Sequence, residues 1–333
     1  MFDQGSRFAL GSFAKHGGGP FLGLVVDDKV QALSAVDSRY FCSDVTLAEL
    51  LEDWAVNLAA IKSSLAGAAP DHRWTPITKL RACAPLPHAR QVFCAGANYR
   101  RHVVEMIVAV GLGAETEGMD AETRRVFGKA YVLRQLAESQ PYVFMKPVTS
   151  IAGPGEDLVL PFFSEKIDWE IELGAVIGRD TLHVGIDEAL SCVAGYMIVN
   201  DVTARDRVRR TDPGAIGPDW IAAKGAPGFL PTGPLFVPAE FVPNPQDLKM
   251  RLAVNGQIMQ ESSTSDMIFD IARQVAFISG YARLLPGDIL CTGSPAGNGV
   301  ARDRFLKEGD VMEAEIEGLG RQSVRCVSAS RWK

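Results

Sequence analysis

Between Ile167 and Ile177 the chain alternates so regularly that it reads as a single extended strand. Ile167, Trp169, Ile171, Leu173, Ala175 and Ile177 occupy one parity, and Asp168, Glu170 and Glu172 the other. Successive strand side chains point to opposite faces, so one face is a core face and the other gathers three carboxyls. After a crossover of ordinary length a second apolar run, Tyr196-Met-Ile-Val-Asn-Asp201, ends on another carboxylate. Carboxylates set two residues apart on one face repel each other, and in a buried site they persist only with a neutralising cation or a raised pKa. Oxygen ligands of this charge density suit Mg²⁺, with Mn²⁺ or Ca²⁺ as substitutes, and no His or Cys nearby argues for zinc. The plainer reading is a solvent-facing edge strand whose charges discourage aggregation. Asp201 weighs against it, because an unpaired carboxylate embedded in an apolar run is costly.

The chain has 333 residues, 47% of them apolar, enough for a substantial core in one large domain or two unequal ones. A formal charge of −6 without any long Lys/Arg run gives no electrostatic footprint for nucleic acid or an anionic membrane, so a small-molecule substrate is expected. No stretch approaches the roughly 18 uninterrupted apolar residues of a membrane span. Met1-Phe-Asp-Gln-Gly-Ser-Arg7 lacks the apolar segment of a signal peptide, and the expected location is cytoplasmic. The six cysteines are scattered without C-x-x-C spacing and read as reduced, mostly buried small hydrophobes.

Short apolar runs broken by turns open the chain, with Phe21 to Val26 as a strand. Thr46-Leu-Ala-Glu49 fits a capping box, and Leu47, Leu50, Leu51, Trp54, Leu58, Ile61 and Leu65 follow a helical period up to Gly67. That helix is expected to end the first lobe, with residues 67 to about 88, rich in proline, as a linker. From Val92 onward strand signals dominate, and strong helices are predicted only at 119–138, 186–193 and 266–285, the last capped by Ser265 and stopped by Pro286. The pattern is mainly β with a few helices, an α+β chain without a βαβ repeat.

Other segments could carry chemistry. If residues 100 to 106 form a helical turn, His102 and Glu105 lie at i and i+3, where the carboxylate could orient the imidazole as a general base; a solvated surface pair is the alternative. Lys146 and Lys224 sit among apolar or small residues, where a cation could offset the carboxylates or bind a substrate carboxylate or enolate; surface lysines are the default. Leu290-Cys-Thr292-Gly-Ser294-Pro-Ala-Gly297 places hydroxyls and open N–H groups in a turn after a strand, which suits a carboxylate or is merely a tight turn.

Taken together, Gly96-Ala-Asn-Tyr-Arg-Arg-His102, Phe144-Met-Lys-Pro147, Ile167-Asp-Trp-Glu-Ile-Glu172, Asn200-Asp-Val-Thr-Ala-Arg-Asp206, Thr264-Ser-Asp-Met-Ile268 and Leu285 to Gly297 resemble the fumarylacetoacetate hydrolase family, in order from about residue 90 to 327, and within it the acylpyruvase-like branch. The resemblance implies a mixed β-sandwich roll with a small N-terminal α+β lobe over 1–85. It implies a catalytic domain over 86–333 that carries a helical insertion at about 106–141, usually a homodimer, with a divalent metal at its mouth. Position by position, Glu170 and Glu172 match the family's E-x-E ligands and Asp201 the carboxylate that completes them. His102 and Glu105 match a water-activating pair on a lid segment, Lys224 a lysine facing the oxyanion, and Thr292 a hydroxyl receiving a substrate carboxylate. Tyr99, Lys146, Arg205 and Gly293 complete the substrate-binding set, and Asp168 stays outside the metal's first contacts. The chain departs from compact members in its insertion, Asp120 to Ser139, and in Gly225-Ala-Pro-Gly-Phe-Leu-Pro231, where relatives carry a Ser-Phe-Asp-Thr-like run.

The activity this implies is hydrolysis of a C–C bond in an acylpyruvate or related diketo acid. Mg²⁺ would hold the 2-oxo-carboxylate end, and the His102/Glu105 pair would activate water. Isomerase or tautomerase, decarboxylase and hydratase chemistry through the same enolate is the second reading. A metal-stabilised scaffold without activity is the third.

Overall fold

Three larger sheets carry the fold in the computed structural model, which describes residues 7–67, 74–210 and 217–329. The first is a five-stranded antiparallel sheet in the order Thr75–Pro76, Lys29–Ala32, Pro20–Val26, Ala9–Ala14, Arg81–Cys83. The Leu47–Glu52 helix begins with the expected capping box: Glu49 N–H donates to Thr46 Oγ1 (3.2 Å) and Thr46 N–H to Glu49 Oε2 (2.8 Å). The Trp54–Gly67 helix follows it. Residues 75–76 and 81–83, expected to be linker, are strands of this sheet, because their backbone groups find partners in Lys29–Ala32 and Ala9–Ala14 despite the flanking prolines. Pro70 of the same stretch lies outside the described residues.

The second sheet has six strands in the order Val237–Pro238, Val193–Asn200, Ile171–Ile177, Ile289–Cys291, Val92–Gly96, Tyr142–Met145. The third has five: Gln257–Ser263, Lys249–Val254, Val311–Ile316, Arg321–Ser328, Leu158–Leu160. Ile171–Ile177 is therefore an interior strand, paired on both edges and buried along its whole length. This rules out the edge-strand reading of the acidic cluster. The first sheet joins this core where Leu10 and Phe236 exchange backbone hydrogen bonds (2.9 and 2.7 Å) and where Trp54 packs edge-on against Phe236.

The long helix predicted at 266–285 is shorter, Ile271–Ser279, and starts one turn later than its apolar period suggests. Asp270, not Ser265, caps it by accepting from Arg273 N–H (2.7 Å). Two tertiary contacts override the helical period. Asn98 holds the chain ahead of the helix, taking Ile268 N–H on its carbonyl (2.7 Å) and Phe269 N–H on its side chain (2.9 Å). Beyond the helix Leu284 pairs with Thr181. The 119–138 prediction fares better, with Ala121–Glu138 capped by Asp120, which accepts from Thr123 N–H (2.8 Å). The short 186–193 helix is one α-turn, Ile186–Ala189, continued by a 3₁₀ turn, Leu190–Cys192. The turn carrying His102 extends into an eleven-residue helix, Arg100–Val110, which packs with Ala121–Glu138 around Val103, Ile107 and Val132.

Candidate active site

Register brings the carboxylates together. Ile171 pairs with Asn200, the Asn200 side-chain oxygen accepts from Glu170 N–H (2.9 Å), and Asp201 N–H donates to Glu170 C=O (2.8 Å). One carboxylate oxygen from each of Glu170, Glu172 and Asp201 then falls within 4.8 Å of the others, and all three residues are buried. Asp168 belongs elsewhere. The strand is interrupted after Asp168, whose carboxylate accepts from Trp169, Gly299 and Val300 N–H (2.8, 2.6 and 3.1 Å) and from Arg205 Nε (2.7 Å).

Three cations face these acids. Lys146, whose side chain is 0% exposed, donates to Asp201 Oδ1 (2.6 Å), Phe229 C=O (2.9 Å) and Val202 C=O (3.3 Å). Lys224 bridges Glu170 Oε2 (2.6 Å) and Asp201 Oδ2, adds Thr203 Oγ1 (2.8 Å), and lies under the rings of Phe144 and Trp220 (5.3 and 5.9 Å). Arg205 ties Asp168 to Glu170. Burial alone would raise the Glu170 pKa, but Arg205 and Lys224 outweigh it and hold Glu170 below the usual carboxylate range. Burial would likewise lower Lys224, but Asp201 and Glu170 hold it above the ordinary lysine value and therefore charged.

Four carboxyls against three cations leave one uncompensated, and the geometry assigns it to Glu172. Glu172 accepts Gly293 N–H (2.7 Å) and forms no ion pair among the described residues. Burial, then the charges of Asp201 and Glu170, push it well above the usual range. A buried carboxyl that ionises readily only beside an added positive charge, set among convergent oxygen donors, fits a hard divalent cation. Of the buried polar atoms that have no hydrogen-bond partner among the described residues, His102 Nδ1 and Asn298 Oδ1 belong to this site.

His102 is buried on the Arg100–Val110 helix and lies close enough to the triad to feel the charge of Glu170. Burial drives its pKa down to about 4, so the ring is neutral near pH 7 and can accept a proton. Glu105 does not hydrogen-bond to it. Its Oε2 accepts from Gly297 N–H (2.7 Å), and burial raises its pKa. The remaining expected contacts are likewise engaged inside the protein. Tyr99, fully buried, donates its hydroxyl to Met250 Sδ (3.3 Å), and Thr292 donates to Leu173 C=O (2.8 Å). Lys146 and Arg205, expected beside a substrate, hold the carboxylates instead, and Gly293 serves Glu172 through its N–H.

The sequence reading missed Asn298, which donates to Trp169 C=O (3.0 Å) and Glu170 Oε1 (3.3 Å). Its signal was the Gly297-Asn-Gly299 turn one step beyond the Thr292 motif. It also missed the Phe144/Trp220 stack over Lys224, with centroids 4.4 Å apart. Gly297 itself has φ +104°, and a Cβ there would overlap the Met259 carbonyl oxygen. Gly297→Ala is therefore expected to cost about 1–3 kcal/mol and to loosen both Glu105 and the Gly299 and Val300 contacts to Asp168. A denaturant midpoint equal to the parent's would contradict this.

A family model described as fumarylacetoacetate (FAA) hydrolase, C-terminal, matches residues 91–327. The chain belongs to the fumarylacetoacetate hydrolase family. Among family relatives, it is 33% identical over 311 residues to the mitochondrial oxaloacetate tautomerase FAHD2B of Homo sapiens, covering 92% of this chain and 87% of that one. It is 40% identical over 230 residues to the 2,4-didehydro-3-deoxy-L-rhamnonate hydrolase of Sphingomonas sp. (strain SKA58), covering 68% and 74%. The crystal structure of 5-carboxymethyl-2-hydroxymuconate delta-isomerase from Mycobacterium smegmatis superposes with a TM-score of 0.66 at 28% identity, over 96% of this fumarylacetoacetate hydrolase family chain and 98% of the other. The sheet-rich fold with few helices is thus the family's fold. Among the described residues no helix is long and apolar enough to cross a membrane.

Proposed function

We propose that this protein is a metal-dependent hydrolase that cleaves the C–C bond of an acylpyruvate or a related diketo acid. The observation that carries the reading is the enclosed triad with an uncompensated Glu172, next to a neutral, buried His102. Glu170, Glu172 and Asp201 would hold Mg²⁺ or Mn²⁺. When bound, the cation supplies Lewis acidity to the 2-oxo-carboxylate end of the substrate.

The protein's own groups divide the remaining work. His102 takes a proton from water as its oxygen adds to the distal carbonyl, the bond between that carbon and the pyruvoyl methylene breaks, and the proton returns from His102 to the methylene carbon. The products are a carboxylic acid and pyruvate. Glu105, anchored by Gly297, fixes the helix that carries His102 against the turn carrying Asn298. Lys224 acts by charge, holding Glu170 ionised and bridging it to Asp201.

A second reading, keto–enol tautomerisation of a 2-oxo acid, is favoured by the Glu105–Gly297 bond, which leaves His102 without the carboxylate partner of a water-activating pair. The hydrolase relative supports the first reading and the oxaloacetate tautomerase the second. Under the first, His102→Ala lowers kcat for acylpyruvate hydrolysis by about 10²–10⁴-fold, read as slower loss of the substrate's ultraviolet absorbance. Chelation abolishes the activity and Mg²⁺ or Mn²⁺ restores it. Undiminished hydrolysis by His102→Ala would remove His102 as the base. Oxaloacetate tautomerisation without any acylpyruvate cleavage by the parent would decide for the second reading.

A further inference from the structure

His102 and Asn298 are carried on two mounts that the fold locks together. His102 and Glu105 lie one turn apart on the Arg100–Val110 helix and so share a face. The Glu105 carboxylate accepts from Gly297 N–H (2.7 Å), which seats that face on the turn whose next residue is Asn298. Asn298 is fully buried, and its amide lies near enough to the His102 ring to raise the ring's pKa against the larger effect of burial. The turn has little freedom. A Cβ at Gly297 would meet the Met259 carbonyl, and one at Gly299 would meet the Arg304 carbonyl and the Asp168 carboxylate.

Donor and acceptor chemistry fixes which way the Asn298 amide points. Its Nδ2 donates to Trp169 C=O (3.0 Å) and to Glu170 Oε1 (3.3 Å), a carbonyl and an ionised carboxylate that only accept. The opposite assignment would set the amide oxygen against two acceptors. Oδ1 is therefore the atom left over, and it has no partner among the described residues. His102 Nδ1 is in the same position. A buried polar atom left unpaired costs about 1–3 kcal/mol, and these two are complementary, since an imidazole N–H donates and an amide oxygen accepts.

We infer that Asn298 is the positioning residue for His102, its Oδ1 accepting the Nδ1 proton and so leaving Nε2 as the nitrogen that takes a proton from water. The inference rests on the hydrolase reading above and deepens it, giving His102 the orienting acceptor that the sequence had led one to expect of Glu105. A neutral imidazole carries one proton, so a proton held on Nδ1 leaves the lone pair on Nε2. Once Nε2 is protonated, the same amide oxygen keeps the ring from turning until Nε2 returns the proton to the pyruvoyl methylene carbon. Catalytic hydrogen bonds of this kind are often long before substrate binds and tighten in the complex. In this scheme Asn298 acts through His102.

Two measurements test it. The first needs no variant of Asn298: the Mg²⁺-loaded full chain, labelled with ¹⁵N-histidine, is read by NMR at neutral pH. The chain has five histidines, and His102 is identified as the one absent from the spectrum of His102→Ala. The expected result is a protonated Nδ1 and an unprotonated Nε2; a proton on Nε2 in the parent would overturn the proposal. The second is a double-mutant cycle on acylpyruvate hydrolysis at saturating Mg²⁺. Asn298→Ala is expected to lower kcat about 10- to 100-fold in the parent and less than about twofold in the His102→Ala background, with KM little changed in either. An equal loss in both backgrounds would show that Asn298 acts through Glu170 or the fold, and either that result or an unchanged kcat in the parent would overturn the proposal. Should Asn298→Ala fail to fold, the parent spectrum decides. Absence of acylpyruvate cleavage by the parent would overturn the hydrolase reading instead, and the protonation pattern of His102 would then decide the pairing with Asn298 by itself.

Discussion

Glu172→Gln is expected to lower kcat/KM at saturating Mg²⁺ or Mn²⁺ by about 10³-fold or more, roughly 4 kcal/mol of transition-state stabilisation, without destabilising the ion-free protein. Glu172 is buried beside Glu170 and Asp201, and its hydrogen bond comes from Gly293 N–H. The amide keeps that acceptor and the side chain's shape, and because burial with Asp201 and Glu170 already favours the neutral acid of Glu172 when no metal is bound, the ion-free fold is expected to lose little. In the parent, a divalent ion at 100 times its Kd adds about 2.7 kcal/mol, read as a rise in Tm. The variant should lose that rise together with activity. A variant that retained both would remove Glu172 from the ligand set. A variant much less stable than the parent without metal would contradict the view that Glu172 carries the uncompensated charge.

Lys146→Met should do the opposite, costing about 3–5 kcal/mol of stability. The Lys146 side chain is fully enclosed and its ammonium donates to Asp201 Oδ1, Phe229 C=O and Val202 C=O. Methionine fits the volume but leaves a buried carboxylate and two carbonyls without this donor. The measurement is a urea midpoint at unchanged slope, which separates stability from a change in compactness. A loss below 1 kcal/mol would show that Asp201 is adequately held by Lys224 alone. The contrast between the two variants distinguishes an acid that awaits a cation from a cation already committed to an acid.

The acidic constellation could be read locally because strand alternation is a short-range property. Residues 167–177 needed no partner to declare an apolar and an acidic parity, and the apolar run before Asp201 made a solvated carboxylate there implausible. The capping box was equally local, and Thr46/Glu49 stands where its helix begins, whereas Asp270 and not the expected Ser265 caps the Ile271–Ser279 helix. The family's ordered motifs supplied the sheet-rich architecture. What local patterns concealed were the competitions won by distant groups. Asn98, 171 residues from Phe269, holds the chain ahead of the Ile271–Ser279 helix against its own apolar period. Residues 75–83 became strands because edges of the first sheet were available to them.

The side chains expected to touch substrate follow the same rule. Residue type predicted their polarity and their neighbourhood, but not whether their donors would already be spent. Lys146, Arg205, Tyr99 and Thr292 each found an acceptor inside the protein, and Glu105 found Gly297 in place of His102.

By itself, then, the sequence determined which carboxyls exist and that a hard cation is the natural complement of a cluster of them, while the single strand it suggested over 167–177 is broken after Asp168. The family's motifs pointed to Glu170, Glu172 and Asp201, and only the tertiary structure shows what makes these three converge. The pairing of Ile171 with Asn200 aligns Glu170 with Asp201, and Asn298, 128 residues away, closes on Glu170, while Asp168 turns toward Arg205 and the Gly299 turn. Periodicity is set by neighbours along the chain, whereas convergence is set by hydrogen bonds between strands and loops far apart in it, and those are formed only when the whole core closes.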